Sequence, residues 1–189
     1  MRYKVLSVKQ PWAYLICSGI KDIENRTWKC PQKYIGQRVL IHASAKRDSR
    51  FNPMSRSLFT ENQWESVLGR KIDGIFEKML IPSAIIGSVE IVDCVVNHPS
   101  IWAEKTYYDK FEDIKPTYNW VLANPVLFDN PILNVKGKLG FWDYFHEAVE
   151  PQCCEVIGNI YDKEHQKQAI INMIRCDEEL GLYDCGNEQ

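Results

Sequence analysis

The segment Ala84–Val96 constrains the fold of this chain more than any other stretch of its sequence. It is rich in isoleucine and valine, whose branching at Cβ restricts the side-chain torsion and favours extended backbone. The segment, like every other apolar stretch of the chain, is shorter than the roughly 20 residues that a membrane-spanning helix needs. It therefore predicts one long central strand, with Gly87 as the site of a bulge, and no association with a membrane.

Shorter apolar segments with the same preference for extended backbone occur on both sides of this strand. They are residues 3–8, 38–43, 118–122, 126–135 and 139–145, with a turn at Asn124 and Pro125 and with Gly137 and Gly140 bracketing a last hairpin. Five or six strands with few helices are typical of an α+β fold, in which a small barrel-like sheet carries peripheral helices.

Helices are predicted where capping residues coincide with helical spacing of apolar residues. Residues 11–18 form a short helix, because a proline suits the first helical position and Gly19 suits the position after the last. Further along, Thr60 and Gln63 have the form of a capping box, in which each residue bonds to the backbone N–H of the other. A second helix therefore begins near Glu61.

With 189 residues, the chain has the length of one domain with an appendage. We predict a domain over residues 1–147, with a loop-and-helix insertion around residues 46–80. An acidic C-terminal helical extension follows over residues 148–189. The extension differs in character from the rest, since residues 146–189 carry a net charge of −7.

Charge is distributed unevenly along the chain. Residues 1–50 carry a net charge of +8, whereas the remaining residues carry −10. Either the basic part forms a face for an anionic partner while the acidic remainder limits non-specific attraction, or the two parts interleave in space and cancel. The N-terminus lacks the apolar core of a signal peptide, so we expect a cytoplasmic protein.

The seven cysteines form no pattern that indicates a metal site or a disulfide framework. Their number is odd, they include no C-x-x-C spacing, and the four histidines are not paired a few residues apart. We therefore expect reduced thiols, no metal ion and no cofactor. The adjacent Cys153 and Cys154 are the one candidate redox pair.

The densest polar cluster lies at residues 19–28 (GIKDIENRTW). If its second half is extended, Glu24, Arg26 and Trp28 project from one face, since side chains alternate along a strand. Lys21 lies at the turn before them. Cations bind phosphate, a carboxylate accepts from an exocyclic amine, and an indole stacks on a base, so the cluster suits a nucleotide. The same lysine and glutamate could transfer protons, or the charges could form a structural ion network.

Two further groups of polar residues lie at predicted ends of elements. Lys9, Gln10 and Trp12 surround the N-terminal end of the first helix, where free N–H groups favour anions. Trp12 also falls on the apolar stripe of that helix, which favours a place in the core. His42 and Ser44 end a strand, but their spacing without an orienting acid is a weak indication of nucleophilic catalysis.

These segments, taken in order, resemble the ASCH domain family, whose signature is G-x-K-x-x-E-x-R. The signature is present as Gly19, Lys21, Glu24 and Arg26. The other similar segments are residues 6–12 (LSVKQPW), 40–44 (LIHAS), 84–94 (AIIGSVEIVDC), 120–125 (WVLANP) and 136–142 (KGKLGFW). The resemblance covers roughly residues 3–145. It implies a PUA-like β-barrel, a signature that lines a cleft between barrel and helix, and binding of RNA or another nucleic acid.

One branch of the same superfamily hydrolyses N-acetylcytidine to cytidine with a lysine, a threonine and a separate glutamate. The resemblance aligns Lys21 with that lysine and Glu24 with that threonine, and Glu90 on the long central strand is the candidate for the separate acid. The expected hydroxyl nucleophile is therefore missing at position 24. This leaves Glu24 to activate water while Lys21 stabilises an oxyanion, a mechanism that needs no metal.

Three functions remain as hypotheses. The first is a domain that binds RNA, another single-stranded nucleic acid or a nucleotide, and both the basic N-terminal third and the family favour it. The second is an amidohydrolase acting on an acylated nucleoside such as N-acetylcytidine through Lys21 and Glu24. The third is a protein-interaction domain that uses the acidic C-terminal helix. The binding residues predicted for the first are Lys9, Gln10, Trp12, Lys21, Glu24, Asn25, Arg26, Trp28, Ser44 and Lys46.

Overall fold

The computed structural model describes residues 2–52, 57–69, 78–107 and 115–145 of the chain. The strands are β1 (Arg2–Val8), β2 (Ile23–Arg26), β3 (Gln37–Ala43), β4 (Ala84–Val96), β5 (Tyr118–Ile132) and β6 (Phe141–Phe145). The helices are α1 (Trp12–Cys17) and α2 (Glu61–Leu68), with a short 3-10 turn at Gln32–Tyr34. The predicted C-terminal extension, including Cys153 and Cys154, and parts of the 46–80 insertion lie outside the described residues. None of the helices described is long and apolar enough to cross a membrane.

All six strands belong to one sheet, in the order β2-β5-β4-β3-β1-β6. Strands β1 and β3 are parallel, and the other neighbours are antiparallel. The long central strand is confirmed at Ala84–Val96, and its pairing shifts register between Ile85 and Gly87, at the predicted bulge. A Cβ at Gly87 would lie 2.2 Å from the Val126 carbonyl oxygen and 2.7 Å from Cys17 Sγ. Glycine is therefore required for α1 and β5 to approach β4 this closely.

The sheet curls until its two ends meet. Trp120 on β5 stacks on Phe141 of β6, with ring centroids 5.4 Å apart and 9° between the planes, and Trp28 packs edge-on against both rings. The Arg26 guanidinium at the end of β2 donates to the main-chain oxygen of Ser7 on β1 at 2.8 Å. Strands far apart in the sheet order therefore touch. The predicted α+β fold, a small barrel-like sheet with few helices, is confirmed.

Two details of the predicted strand order are wrong. Strand β5 runs without interruption through Asn124 and Pro125, where we expected a turn. Between the flanking pairs, β5 has one residue more than β4, so Asn124 (φ 47°) and Pro125 form a bulge that accommodates a residue without an N–H. The last strand, β6, pairs with β1 and does not close a hairpin with β5.

Both described helices begin and end close to where the capping residues predict. Helix α1 packs against β3, β4 and β5, and its Leu15 and Ile16 are fully buried. At the start of α2, Gln63 N donates to Thr60 Oγ1 at 3.4 Å, and Thr60 N donates to Gln63 Oε1 at 3.0 Å. The predicted capping box is confirmed.

Candidate functional site

A cleft of about 890 Å³ opens beside β1, β2 and the loop before β6, and we call it the main cleft. Its lining includes Lys9, Trp12, Glu24 and Arg26, together with residues 134–140. Its volume is within the range of cavities that hold ligands.

A second cavity of about 250 Å³, which we call the inner pocket, shares part of its wall with the main cleft. Trp12, Glu24 and Asn25 line both cavities, whereas Lys21 and Trp102 belong to the lining of the inner pocket. These three residues therefore form the wall that the two cavities share.

The end of α1 places Lys21 in the wall of the inner pocket. Gly19 has a φ of 71°, a conformation that favours glycine and closes the helix. The N–H groups of Ile20 and Lys21 then both donate to the carbonyl oxygen of Leu15 at 2.9 Å. This tight ending turns the chain directly from the helix into β2.

Lys21, Glu24 and Arg26 form a largely buried group of charges. Lys21 Nζ lies 3.7 Å from Glu24 Oε2, and Arg26 Nε lies 2.9 Å from Glu24 Oε1, so one carboxylate is shared by two cations. The Lys21 ammonium also donates to the main-chain oxygen of Ile23. The side chains of Lys21 and Glu24 are 4% and 9% exposed. Burial lowers the pKa of Lys21, although nearby carboxylates, first that of Glu24, oppose the shift.

Gln10 and Asn25 fix the walls of the site through their amides. Gln10 is buried, its Oε1 accepts from the N–H of Tyr14 at 3.1 Å, and its Nε2 donates to the carbonyl of Ile81 at 3.1 Å. Asn25 Nδ2 donates to the main-chain oxygen of Trp102 at 2.9 Å. The side-chain amides of these two predicted binding residues therefore make hydrogen bonds to other groups of the protein.

Trp12 lies between the main cleft and the inner pocket. Its Nε1 donates to Asp48 Oδ2 at 3.2 Å, and its ring meets Phe59 and Trp102 edge-on. Lys21 Nζ lies 5.8 Å from the centre of the same ring. Trp12 is thus partly a core residue and partly a wall of both cavities.

The predicted residues near the helix and strand ends separate into two groups. Lys9 and Ser44 line the main cleft. Gln10 and Lys46 instead line a third cavity of about 490 Å³, which Ser44 also borders. Lys46 therefore lies near the main cleft without being part of its wall.

Two other residues singled out in the sequence lie elsewhere. Trp28 does not join Glu24 and Arg26, because β2 ends at Arg26 and the indole packs on the rings at the closure of the barrel. The carboxylate of Glu90 accepts from Asn124 Nδ2 at 2.8 Å, and Glu90 is not part of the lining of the main cleft or the inner pocket.

A hydrogen-bonded chain in the main cleft is not apparent from the sequence. Ser7 Oγ lies 3.2 Å from His42 Nδ1, His42 Nε2 lies 2.9 Å from the main-chain oxygen of Val135, and Trp142 Nε1 donates to Ser7 Oγ at 3.0 Å. Both ring nitrogens of His42 are occupied, so the weakly indicated pairing of His42 with Ser44 does not form. Burial lowers the pKa of His42.

The loop before β6 adds cations that sequence reasoning also missed. Lys136 and Lys138 line the main cleft, and Lys138 Nζ lies 5.9 Å from the centre of the Trp142 ring. The segment KGKLGFW carried a signal that could have indicated them, since two lysines beside glycines directly precede a strand.

The ASCH domain model matches residues 6–132 of the chain. The chain belongs to the ASCH domain family. The family is linked to RNA binding.

Two similar proteins are both named Activating signal cointegrator 1. The one from Homo sapiens is 34% identical over 109 residues, which are 58% of this chain and 16% of that protein. The one from Mus musculus is 33% identical over 124 residues, which are 64% of this chain and 19% of that protein. This ASCH chain therefore spans less than a fifth of the length of either relative.

The crystal structure of ASCH from Zymomonas mobilis is similar over 89% of this chain and 93% of that chain, with 15% sequence identity and a TM-score of 0.44.

The four signature residues of this ASCH domain have separate places in the site. Gly19 ends α1, and Lys21 lines the inner pocket. Glu24 borders both cavities, and Arg26 lines the main cleft while its guanidinium bonds to Ser7 across the barrel. The signature residues therefore end α1, supply the buried charges and link β2 to β1, all beside the main cleft.

Proposed function

We propose that this ASCH domain binds RNA or another single-stranded nucleic acid, with phosphates in the main cleft. The observation that carries the proposal is the set of four cationic side chains in the described part of its lining, those of Lys9, Arg26, Lys136 and Lys138. Among the lining residues that the structure describes, the one carboxylate is that of Glu24, which is paired with Lys21 and Arg26. The lining therefore carries a net positive charge, which attracts phosphate.

The aromatic surface in the cleft supports single-stranded rather than duplex nucleic acid. A base must leave its stack before it can reach Trp12 or enter the inner pocket. Stacking on such a ring contributes about 1–3 kcal/mol per base and tolerates any base. The acidic remainder of the chain supports local binding of a few nucleotides, because it repels phosphates that extend beyond the cleft.

The test is the affinity of a short single-stranded RNA for the full chain across a salt series. For single strands, the slope of log K against log salt is about −0.7 per phosphate contact. We expect Lys9→Ala and Lys138→Ala to weaken binding and each to reduce the slope by about one contact. A free nucleotide added as competitor distinguishes a nucleotide site from an oligonucleotide site. At a nucleotide site, the free nucleotide displaces the RNA at a concentration similar to that at which unlabelled RNA does.

Lys33→Ala is the matched control. Lys33 is a lysine in the 3-10 turn, its Nζ lies 5.0 Å from the Tyr34 ring, and it lines neither the main cleft nor the inner pocket. Affinity without salt dependence would contradict the proposal, and so would an equal loss of affinity in Lys33→Ala.

A second function, hydrolysis of an acylated nucleoside, is supported by one observation. Lys21 and Glu24 lie 3.7 Å apart, both largely buried, at the border of a pocket. In this scheme Glu24 takes a proton from water, the resulting hydroxide adds to the acyl carbon, and Lys21 stabilises the oxyanion. The bond from the acyl carbon to nitrogen then breaks as Glu24 returns the proton to the departing amine of cytidine. Release of cytidine and acetate from N-acetylcytidine, lost in Lys21→Met and Glu24→Gln, is the expected result. No release by the folded protein would eliminate this function.

The third hypothesis, protein interaction through the acidic C-terminal helix, concerns residues outside those described. It stays a prediction, and removal of residues 152–189 should abolish partner binding if it holds.

A further inference from the structure

Ser7, His42 and the carbonyl group of Val135 form a chain with a defined direction of hydrogen bonding. A carbonyl oxygen only accepts, so His42 Nε2, 2.9 Å from it, carries the ring proton. In the uncharged ring His42 Nδ1 is then an acceptor, and Ser7 Oγ at 3.2 Å donates to it. Trp142 Nε1 is a donor and already points at Ser7 Oγ from 3.0 Å. The Ser7 hydroxyl proton is therefore directed at a basic nitrogen.

The fold holds this arrangement firmly and opens it to the main cleft. Ser7 and His42 are register partners on the parallel strands β1 and β3. His42 is 1% exposed, and both residues line the main cleft. A Cβ at position 137 would lie 2.4 Å from His42 Cε1 and 3.0 Å from Ser7 Oγ. Glycine at this position therefore allows the loop before β6 to pack directly against Ser7 and His42.

We propose that Ser7 and His42 are a nucleophile–base pair that hydrolyses an acyl ester or amide carried by an anionic ligand in the main cleft. The base is oriented by a hydrogen bond from its second nitrogen, here to the Val135 carbonyl, which is the role that a carboxylate has in other serine hydrolases. The residues described in the lining of the cleft include two other serines, Ser44 and Ser83, but His42 has no free nitrogen for either.

The reaction has two stages. Ser7 Oγ forms a bond to the acyl carbon while its proton moves to His42 Nδ1; the tetrahedral intermediate then expels the alcohol or amine, which takes that proton. Water next attacks the acyl-serine ester, gives a proton to His42, and releases the acid as Ser7 regains its proton. Arg26 lines the same cleft and donates to the main-chain oxygen of Ser7 at 2.8 Å, which makes it the candidate group to stabilise the developing oxyanion.

This reaction goes beyond nucleic-acid binding and does not depend on it. Phosphate contacts need the cations of the cleft, whereas acyl transfer needs the hydroxyl of Ser7. The wild-type chain is therefore assayed for both properties: RNA affinity without an adduct on Ser7 overturns this proposal alone, and an adduct on Ser7 without salt-dependent RNA affinity overturns the proposed function alone.

The experiment is labelling of the full chain with a fluorophosphonate, followed by mass-spectrometric mapping of the adduct. The serine oxygen displaces fluoride from phosphorus, which reports the nucleophile without knowledge of the substrate. We expect the adduct on Ser7. We also expect its rate of formation to fall by about 100-fold or more in His42→Asn, since general-base catalysis contributes about 10²–10⁴-fold.

His42→Asn places an amide where it can still accept from Ser7, so it removes the base with little change of shape. A thermal melt of the variant is the control for its folding. Ser83→Ala is the control serine of the same cleft, and it should label at the wild-type rate. An adduct elsewhere with none on Ser7 would overturn the proposal. Undiminished labelling of Ser7 in folded His42→Asn would overturn it as well.

Discussion

Glu24→Gln tests the buried charge group, because it removes the one carboxylate that Lys21 and Arg26 share. We expect this substitution to lower the free energy of unfolding by about 3 kcal/mol, since it leaves a buried cation without its counter-charge. By contrast, Lys21→Met replaces a buried ammonium with an apolar side chain of similar length and leaves Glu24 paired with Arg26. We expect Lys21→Met to lower the free energy of unfolding by about 1 kcal/mol or less.

The magnitude follows from the geometry of the pair. At a separation of 3.7 Å and an effective dielectric constant of about 20, Coulomb attraction between Lys21 and Glu24 is about 4 kcal/mol. The loss of hydration of both groups offsets part of it. A coupling energy of about 2 kcal/mol between the two positions is therefore expected.

The assay is a double-mutant cycle measured by urea unfolding of the wild type, both single variants and the double variant. Glu24→Gln should cost about 2 kcal/mol less when Lys21 is already methionine. A cost of Glu24→Gln below about 1 kcal/mol, equal in both backgrounds, would refute the reasoning that an ionised pair is buried here.

The pH dependence of the same variants gives a second check. Burial lowers the pKa of Lys21 in the folded protein. At pH values between the pKa of Lys21 in the folded protein and its pKa in the unfolded chain, the unfolded chain therefore binds more protons. The contribution of Lys21 to stability therefore rises as pH increases towards the ordinary lysine pKa of about 10.4. The difference in unfolding free energy between wild type and Lys21→Met isolates this rise from other groups that titrate at alkaline pH.

Three further results are expected. Gly137→Ala should lower the melting temperature and reduce the free energy of unfolding by about 1–3 kcal/mol, because the new Cβ would overlap the His42 ring. An unchanged melting curve would contradict the close contact. Thr60→Ala should cost about 1 kcal/mol in unfolding by urea, because the side chain that accepts from Gln63 N is lost, whereas no loss would show that α2 does not depend on its cap. Burial, with Cys94 adding to it, raises the pKa of Cys30 to about 11, so iodoacetamide at pH 8 should modify Cys30 about 100-fold more slowly than a free cysteine. Rapid modification of Cys30, mapped by mass spectrometry, would count against its burial.

Local patterns were sufficient to predict most elements of the fold. The β-branched run Ala84–Val96, the capping box at Thr60 and the glycine after α1 each depend on interactions within a few residues, and the structure contains all three. The turn expected at Asn124 and Pro125 does not form, because those residues occupy a bulge that is set by pairing with β4. Bulges depend on the partner strand, which a single segment does not reveal.

The site was predictable to the same extent and for the same reason. Lys21, Glu24 and Arg26 lie together because they share a turn and one short strand. Trp28 was expected beside them, but β2 ends before it and barrel closure takes up its ring. The contact between Ser7 and His42 crosses two parallel strands far apart in sequence, so alternation within either strand gives no sign of it.

The most direct test of the central claim, that nucleic acid binds in the main cleft, is photo-crosslinking of the full chain to a short RNA that contains 4-thiouridine. Mass spectrometry then identifies the crosslinked peptides. We expect crosslinks at Trp12 and within residues 134–140, and their loss when excess unlabelled RNA is added. Crosslinks confined to residues 148–189 or to the 3-10 turn at Gln32–Tyr34 would contradict it.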